Sequence, residues 1–401
     1  MIYLDNAATT FPKPVSVRSA VEECMSEWCA NPGRSGHRMA MRSAESVYRA
    51  RLEIADLIGA EADEIVFTQN CTGALNLALH GVLKPGDHVV TTMMEHNSVL
   101  RTLNSLRRYG VETTVIRCGK DGTLQAESVR AACRNNTRMI VCTMASNVTG
   151  TILPVEEIGK IASERKILFL MDGSQGLGVL EADVDSMGID LLAASGHKSL
   201  MGPQGTGFLY IRRGTPVSPV TEGGTGSESG SIIQPKTVPE GMESGTLNVP
   251  GITGLAEGIR FVKRTGLNQI RKREEKLIEY LSSLIRESRD ISENILSYSP
   301  GETDKKVGIF SFNIRGMNSE RAADLLDRRY GIAVRAGFHC APFAHRAIGT
   351  EDGGCVRISV SMFNTERDMY DTAEAIRDII RIRKRDPDDV ECSGSRNDKS
   401  E

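Results

Sequence analysis

Two short segments carry residue types suited to reversible chemistry at a carbonyl carbon. Ser195-Gly196-His197-Lys198 directly follows the apolar run Leu191–Ala194, and Asp172-Gly173-Ser174-Gln175 directly follows Ile167–Met171. A lone lysine at a strand end is ordinarily solvated, and a lone aspartate there is as often a helix cap. Together, in this order on neighbouring predicted strands, they form the pair that pyridoxal 5'-phosphate requires. The lysine supplies an amine for a Schiff base, and the carboxylate keeps the pyridine nitrogen protonated so that the ring can accept electrons.

Such a cofactor also needs a cradle for its phosphate. The segment from Phe67 to Asn76 runs out of a predicted strand into a predicted helix, where backbone N–H groups favour an anion. Thr72 adds a hydroxyl there, Gly73 permits close backbone approach, and Ser195 and His197 are further donors. His96 follows the strand His88–Thr92 and offers an aromatic face for stacking on the pyridine. Asn147 also follows a strand; alone it would read as a turn residue.

A second kind of chemistry centres on one thiol. The chain has nine cysteines with no CxxC pair and no zinc-like spacing, which fits a reducing compartment. Cys24, Cys29, Cys118, Cys133 and Cys142 fall in predicted helices or strands, where a cysteine is usually a small inert hydrophobe. Cys340 differs. It lies in Val334-Arg335-Ala336-Gly337-Phe338-His339-Cys340-Ala341-Pro342, a loop in which nearby positive charge favours the thiolate. Arg357, at the start of a predicted strand, could clamp a carboxylate with its planar fork.

The elements that must position these residues read as α/β. Strand candidates at 64–68, 88–92, 112–117, 138–143, 167–171, 191–194 and 207–211 alternate mostly with helical stretches at 73–83, 97–109, 125–133 and 155–165. Val-, Ile- and Leu-rich strands separated by helices predict a mainly parallel seven-stranded sheet covered on both faces, with its ligand at the carboxyl ends. Residues 1–14 read as an N-terminal arm, 15–250 as a large domain and 251–385 as a smaller α+β C-terminal domain carrying the Cys340 loop. One helix is expected near 15–29 and a long one at 39–58. Residues 212–246 form a Gly/Ser/Pro/Thr-rich excursion, 251–289 a helical stretch, and 386–401 a polar tail expected to be disordered. The C-terminal part adds strands near 294–298, 307–313 and 355–360 and helices near 318–329 and 364–384.

Composition excludes several function classes. The 401 residues are 40% hydrophobic and 25% charged with a net charge of -3, so no basic excess points to nucleic acid. No apolar run is long enough to cross a membrane and the first residues lack a signal-peptide pattern, which makes a cytoplasmic location the expectation.

In order along residues 2–384, the motifs YLDNAATT, CTGALNL, MEHNSVL, SNVTG, MDGSQ, SGHK, ESGTLN and RAGFHCAP resemble the cysteine desulfurase branch of the class V aminotransferase fold. That is the type I fold of pyridoxal phosphate-dependent transferases. The resemblance implies that Lys198 carries the cofactor, Asp172 pairs with the pyridinium, Gln175 meets the ring oxygen and His96 stacks on the ring. Thr72, Gly73, Ser195 and His197 would hold the phosphate, with Thr246 reaching the phosphate of a neighbouring subunit in a homodimer with shared sites. Arg357 would bind the substrate carboxylate and Asn147 the carboxylate or the ring oxygen, with His37 and Arg335 also near the substrate. Cys340 would take sulfur from L-cysteine, leaving L-alanine and a persulfide for a sulfur-acceptor protein.

Cys340 lies 17 residues before Arg357, which resembles the family's short-loop branch. Many members of that branch carry a second histidine where this chain has Phe338. The same cofactor chemistry admits L-selenocysteine lysis, cysteine sulfinate desulfination or amino transfer; loss of Cys340 should affect selenocysteine less, because selenium leaves more easily. A non-catalytic scaffold on the same fold is disfavoured by the presence together of Lys198, Asp172, His96 and Cys340.

Overall fold

A computed structural model of the chain describes residues 1–33 and 36–385. The elements run β1 (Ile2–Tyr3), α1 (Val15–Glu23), α2 (Arg38–Ile58), β2 (Ile65–Thr68), α3 (Cys71–Val82), β3 (His88–Thr92), α4 (Asn97–Leu106), β4 (Glu112–Ile116) and α5 (Ala126–Ala132). They continue as β5 (Thr137–Thr143), α6 (Val155–Arg165), β6 (Leu168–Asp172), β7 (Leu191–Ser195), β8 (Gly207–Ile211), α7 (Val249–Thr265), α8 (Leu267–Glu287) and α9 (Arg289–Ser292). The chain closes with β9 (Ile295–Ser297), β10 (Ile309–Ile314), α10 (Ser319–Tyr330), β11 (Ile332–Ala333), α11 (Pro342–Ile348), β12 (Val356–Ser359) and α12 (Glu366–Arg385).

The expected seven-stranded sheet has the order β2-β8-β7-β6-β5-β3-β4. It is parallel except at β8, which runs antiparallel to β7 and β2. Strand alternation feeds two cores. Val90, Ile140, Phe169, Met171 and Leu192 face one side, while Val89, Met139, Val141, Leu170 and Leu191 face the other. Both faces are covered, so the strands are apolar without polar alternation.

A second, antiparallel sheet of order β12-β10-β9 packs its Phe310, Phe312, Val356 and Ile358 against α8, α10 and α12. Leu4 from the amino-terminal arm is buried in the same core. Ile252, Leu255 and Ile259 of α7 belong instead to the core of the large sheet.

Several elements differ from the sequence reading. The helical stretch 251–289 is two main helices, because Gly266 sits at φ +88°, a conformation that ends α7 and that other residues rarely adopt. The pair β1–β11 joins Ile2–Tyr3 to Ile332–Ala333, two residues on each side, too short for any periodic signal. The turn α11 begins on Pro342, which fits the first helical turn because it lacks an N–H. The predicted tail 386–401 lies outside the described residues.

The excursion 212–246 is irregular apart from a short 3-10 turn at Glu240–Met242. Its end is anchored by Glu243, which is buried, pairs with Arg51 at 2.5 Å and accepts from the N–H of Phe67 in β2. Burial raises the Glu243 carboxyl pKa above its ordinary value, while Arg51 pulls it back down. Removing one member of such a pair strands the other charge. Glu243→Ala is therefore expected to lose about 3–5 kcal/mol, read from the urea unfolding midpoint. A loss under about 1 kcal/mol would show that the pair does not anchor the excursion.

Candidate functional site

Because β5, β6 and β7 are parallel and adjacent, their carboxyl ends converge. A cavity of about 190 Å³ opens there. It is lined by residues from those ends, the starts of α3 and α4, the arm at Ala7 and Ala8, and the loop at Arg335 and His339. Of the sequence candidates, Thr72, His96, Asn147, Asp172, Gln175, Ser195, His197, Lys198, Arg335 and Arg357 form its wall.

Lys198 and Asp172 reach the cavity from neighbouring strands, whose register pairs Asp172 with Ala193. Burial pushes the Lys198 amine below its ordinary pKa, opposed by the charge of Asp172. The Asp172 carboxylate accepts from the Ser174 N–H at 2.9 Å and from the Cys71 thiol at 3.4 Å.

His96 caps α4. Its Nδ1 accepts from the Ser98 N–H at 3.1 Å, so the ring proton of the neutral form is on Nε2. Burial lowers its pKa to about 4, and His197 is held at about 4 for the same reason. Both rings are neutral at physiological pH.

The start of α3 departs in one detail. The Gly73 N–H donates to the side chain of Asn70 at 2.9 Å, and Gly73 is not part of the cavity wall. Asn70 takes the helix cap that the Thr72-Gly73 reading overlooked. Thr72 contributes through its hydroxyl, 2.7 Å from that of Ser98.

Four buried polar atoms of wall residues, Ser174 Oγ, Ser195 Oγ, His197 Nδ1 and Arg357 Nε, have no hydrogen-bond partner among the described residues. Buried polar atoms are nearly always paired. Four orphans lining one cavity beside a lysine amine call for a polar occupant.

Arg357 is 1% exposed and therefore no surface strand residue. Its Nη2 pairs with Asp5 at 2.8 Å and its Nη1 donates to the Asn147 carbonyl at 2.8 Å. Its Nε is unpartnered. The Asn147 amide donates to the His339 carbonyl at 2.7 Å, tying the loop to β5's end. Gln175 donates to the Ala7 carbonyl at 3.0 Å.

Cys340 is exposed and stands outside the wall, on the loop that closes it. The Arg335 guanidinium is 3.6 Å from its sulfur, and its carbonyl accepts from the Asn97 N–H at 2.7 Å, next to His96. His339 and Cys340 have φ of +48° and +57°, a left-handed conformation unusual outside glycine and often found at functional sites. Burial holds the His339 imidazole well below its ordinary pKa, helped by Arg357.

His37 and Thr246 are not brought to this cavity. His37 is exposed and caps α2. Thr246 is exposed, with the Asn31 amide 3.5 Å from its hydroxyl.

Sequence reasoning missed Asn70, Cys71, Ser98, Thr143 and Ser174, which line the cavity. The N-cap pattern of Asn70 could have been found; the others needed the tertiary fold. It also missed Glu95, a fully buried carboxyl that accepts from Thr92 at 2.6 Å and the Thr143 N–H at 3.1 Å, joining the ends of β3 and β5. Burial raises its pKa to about 8, so it is largely a neutral acid at pH 7.

The chain belongs to the aminotransferase class-V family, whose model matches residues 2–371. A "Probable cysteine desulfurase" of Methanothermobacter thermautotrophicus is 35% identical over 94% of each chain. "Cysteine desulfurase IscS" of Dictyoglomus turgidum is 30% identical over 94% of each. Among solved structures, the apo cysteine desulfurase of Thermococcus onnurineus superposes with a TM-score of 0.89 at 33% identity, covering 95% of this chain and 94% of that one.

The two cavity histidines should titrate far from the ordinary value. Following the ring protons of His96 and His197 by NMR is expected to give midpoints near pH 4, with both rings neutral from pH 5 to 8. A midpoint at about 6.5 for either, the value of a solvated imidazole, would mean that the ring is not enclosed.

Proposed function

We propose that the protein is a pyridoxal phosphate-dependent cysteine desulfurase, converting L-cysteine to L-alanine and passing the sulfur through Cys340 to an acceptor. The observation that carries this reading is the cavity itself: a lysine amine and an aspartate on adjacent strand ends, unpaired polar atoms around them, and an exposed thiol beside Arg335 on the closing loop. Bound there, pyridoxal phosphate supplies a carbonyl that condenses with amines and a ring that draws electron density from the substrate's α-carbon.

Each residue has a part that its surroundings support. Lys198 would hold the cofactor, and its lowered pKa leaves more of the amine neutral and able to take and return the α-proton. Asp172 would keep a proton on the pyridine nitrogen. His96 offers a neutral ring face, and Gln175, held by Ala7, keeps a second amide hydrogen for the ring oxygen. Ser195, His197 and Thr72 would hold the phosphate; Gly73, whose N–H is taken by Asn70, is left out of that cradle.

Arg357 retains its Nε–H and one hydrogen on each Nη for a substrate carboxylate. Asn147 fixes the loop beside it. Arg335 would favour the Cys340 thiolate. That thiolate forms a bond to the substrate sulfur as the carbon–sulfur bond breaks. The carbon gains a proton, giving alanine, and Cys340 keeps the sulfur as a persulfide.

Thr246 and His37 we assign to the site of a second copy in a homodimer. They lie outside their own chain's cavity, and Ile232 and Ile233 on the same excursion as Thr246 are 104% and 74% exposed, apolar surface suited to cover by a partner. No described helix is long and apolar enough to cross a membrane, and a cytoplasmic location is proposed with the reading.

Incubating the cofactor-loaded protein once with L-cysteine, without acceptor, should add one sulfur atom, mapped to Cys340 by peptide mass, and release one alanine per sulfur. Cys340→Ala should retain no added sulfur. Sulfur on another cysteine, or release of a keto acid in place of alanine, would contradict the assignment.

A further inference from the structure

Behind the loop of Cys340 lies a cluster that the proposed reaction does not use as such. His339 on the loop, His345 in α11 and Cys355 just before β12 are 2%, 0% and 0% exposed. One ligand atom from each lies within 4.8 Å of the others. We propose that these three residues bind one soft closed-shell metal ion, copper(I) or zinc(II), and so fasten the Cys340 loop to α11 and β12. Metal binding here does not rest on the desulfurase reading.

The hydrogen bonds define which nitrogens are free. His339 Nε2 faces the Arg335 carbonyl at 3.4 Å, and a carbonyl can only accept, so the proton is on Nε2 and Nδ1 keeps its lone pair. That Nδ1 lies 3.3 Å from His345 Nε2, so a single proton sits between the two rings. A metal would replace that proton. Two donors each about 2.0 Å from one tetrahedral ion are about 3.3 Å apart, the spacing already present.

Losing the proton requires His345 to protonate its other nitrogen. His345 Nδ1 is 2.7 Å from the Thr350 hydroxyl, which can switch from donor to acceptor. An outer partner of this kind orients a ligating histidine. The Cys355 thiol supplies the third ligand as a thiolate, the ion displacing its proton to solvent. Its sulfur lies within 4.8 Å of the two histidine ligand atoms and must draw closer to reach a metal–sulfur distance of about 2.3 Å.

Charge favours copper(I). Arg335 and Arg357 act on His339 electrostatically, so added positive charge is disfavoured. Copper(I) with one thiolate and two neutral imidazoles is neutral, whereas zinc(II) in the same set is left with one positive charge. Thiolate and imidazole suit both ions.

The test uses the full chain, treated with chelator, under anaerobic reducing conditions, and needs neither cofactor nor cysteine. With one equivalent of each metal in turn, X-ray absorption should show one sulfur and two nitrogen ligands, for zinc at about 2.3 and 2.0–2.1 Å. Competition against a chromophoric chelator should show affinity falling at least tenfold in His345→Gln and in Cys355→Ser but unchanged in Cys340→Ser. The spectrum of the unsubstituted protein decides the matter even if a variant folds poorly. A shell of several sulfurs, affinity in both cluster variants unchanged from that of the unsubstituted protein, or loss of binding in Cys340→Ser would overturn the proposal, as would failure of both metals to bind.

Discussion

An amine and a carboxylate brought to one cavity at the ends of adjacent parallel strands set the conditions for everything around them. Asp172 is buried and Lys198 half-buried at the cavity, where the Asp172 charge offsets part of the desolvation of the amine. Isolated in an apolar interior either would be costly, and the pair survives because the Ser174 N–H and the Cys71 thiol also satisfy the carboxylate. The parallel sheet provides this geometry directly. Strand ends point their loops into one crevice, and the helices that follow present their amino ends to it.

The same crevice is closed by parts of the chain remote in sequence. The amino-terminal arm pairs β1 with β11, bridges Asp5 to Ser359 and lays Ala7 against Gln175. Arg357 connects the arm to β5's end through Asp5 and the Asn147 carbonyl. Asn147 in turn holds the carbonyl of His339, next to Cys340. One chain of polar contacts therefore joins the arm, the small sheet, the large sheet and the thiol loop.

Much of this was legible in the sequence because local signals agreed with one another. Strands β3 and β8 and helix α6 have the bounds that apolar runs and flanking polar residues indicate, since both sheet faces are buried. Asp172, Lys198 and His96 were recognisable because each lies at or within four residues of the carboxyl end of such a strand. What failed was non-local or capped by a neighbour. Gly73 gives its N–H to Asn70, a choice that the helix-start pattern leaves open. Ala7, Ala8 and Ser98 enter the wall only through tertiary packing. Glu95 looked like an ordinary polar residue before a helix, yet Thr92 and Thr143 enclose it. The pairing of Arg357 with Asp5 spans nearly the whole chain and has no sequence period.

The central claim is that the Lys198 amine is the attachment point of the cofactor. Loading the protein with pyridoxal phosphate, reducing with borohydride and mapping the modified peptides tests it directly. The account predicts a phosphopyridoxyl group on Lys198 and on no other lysine. A label elsewhere, or none at all, would contradict it.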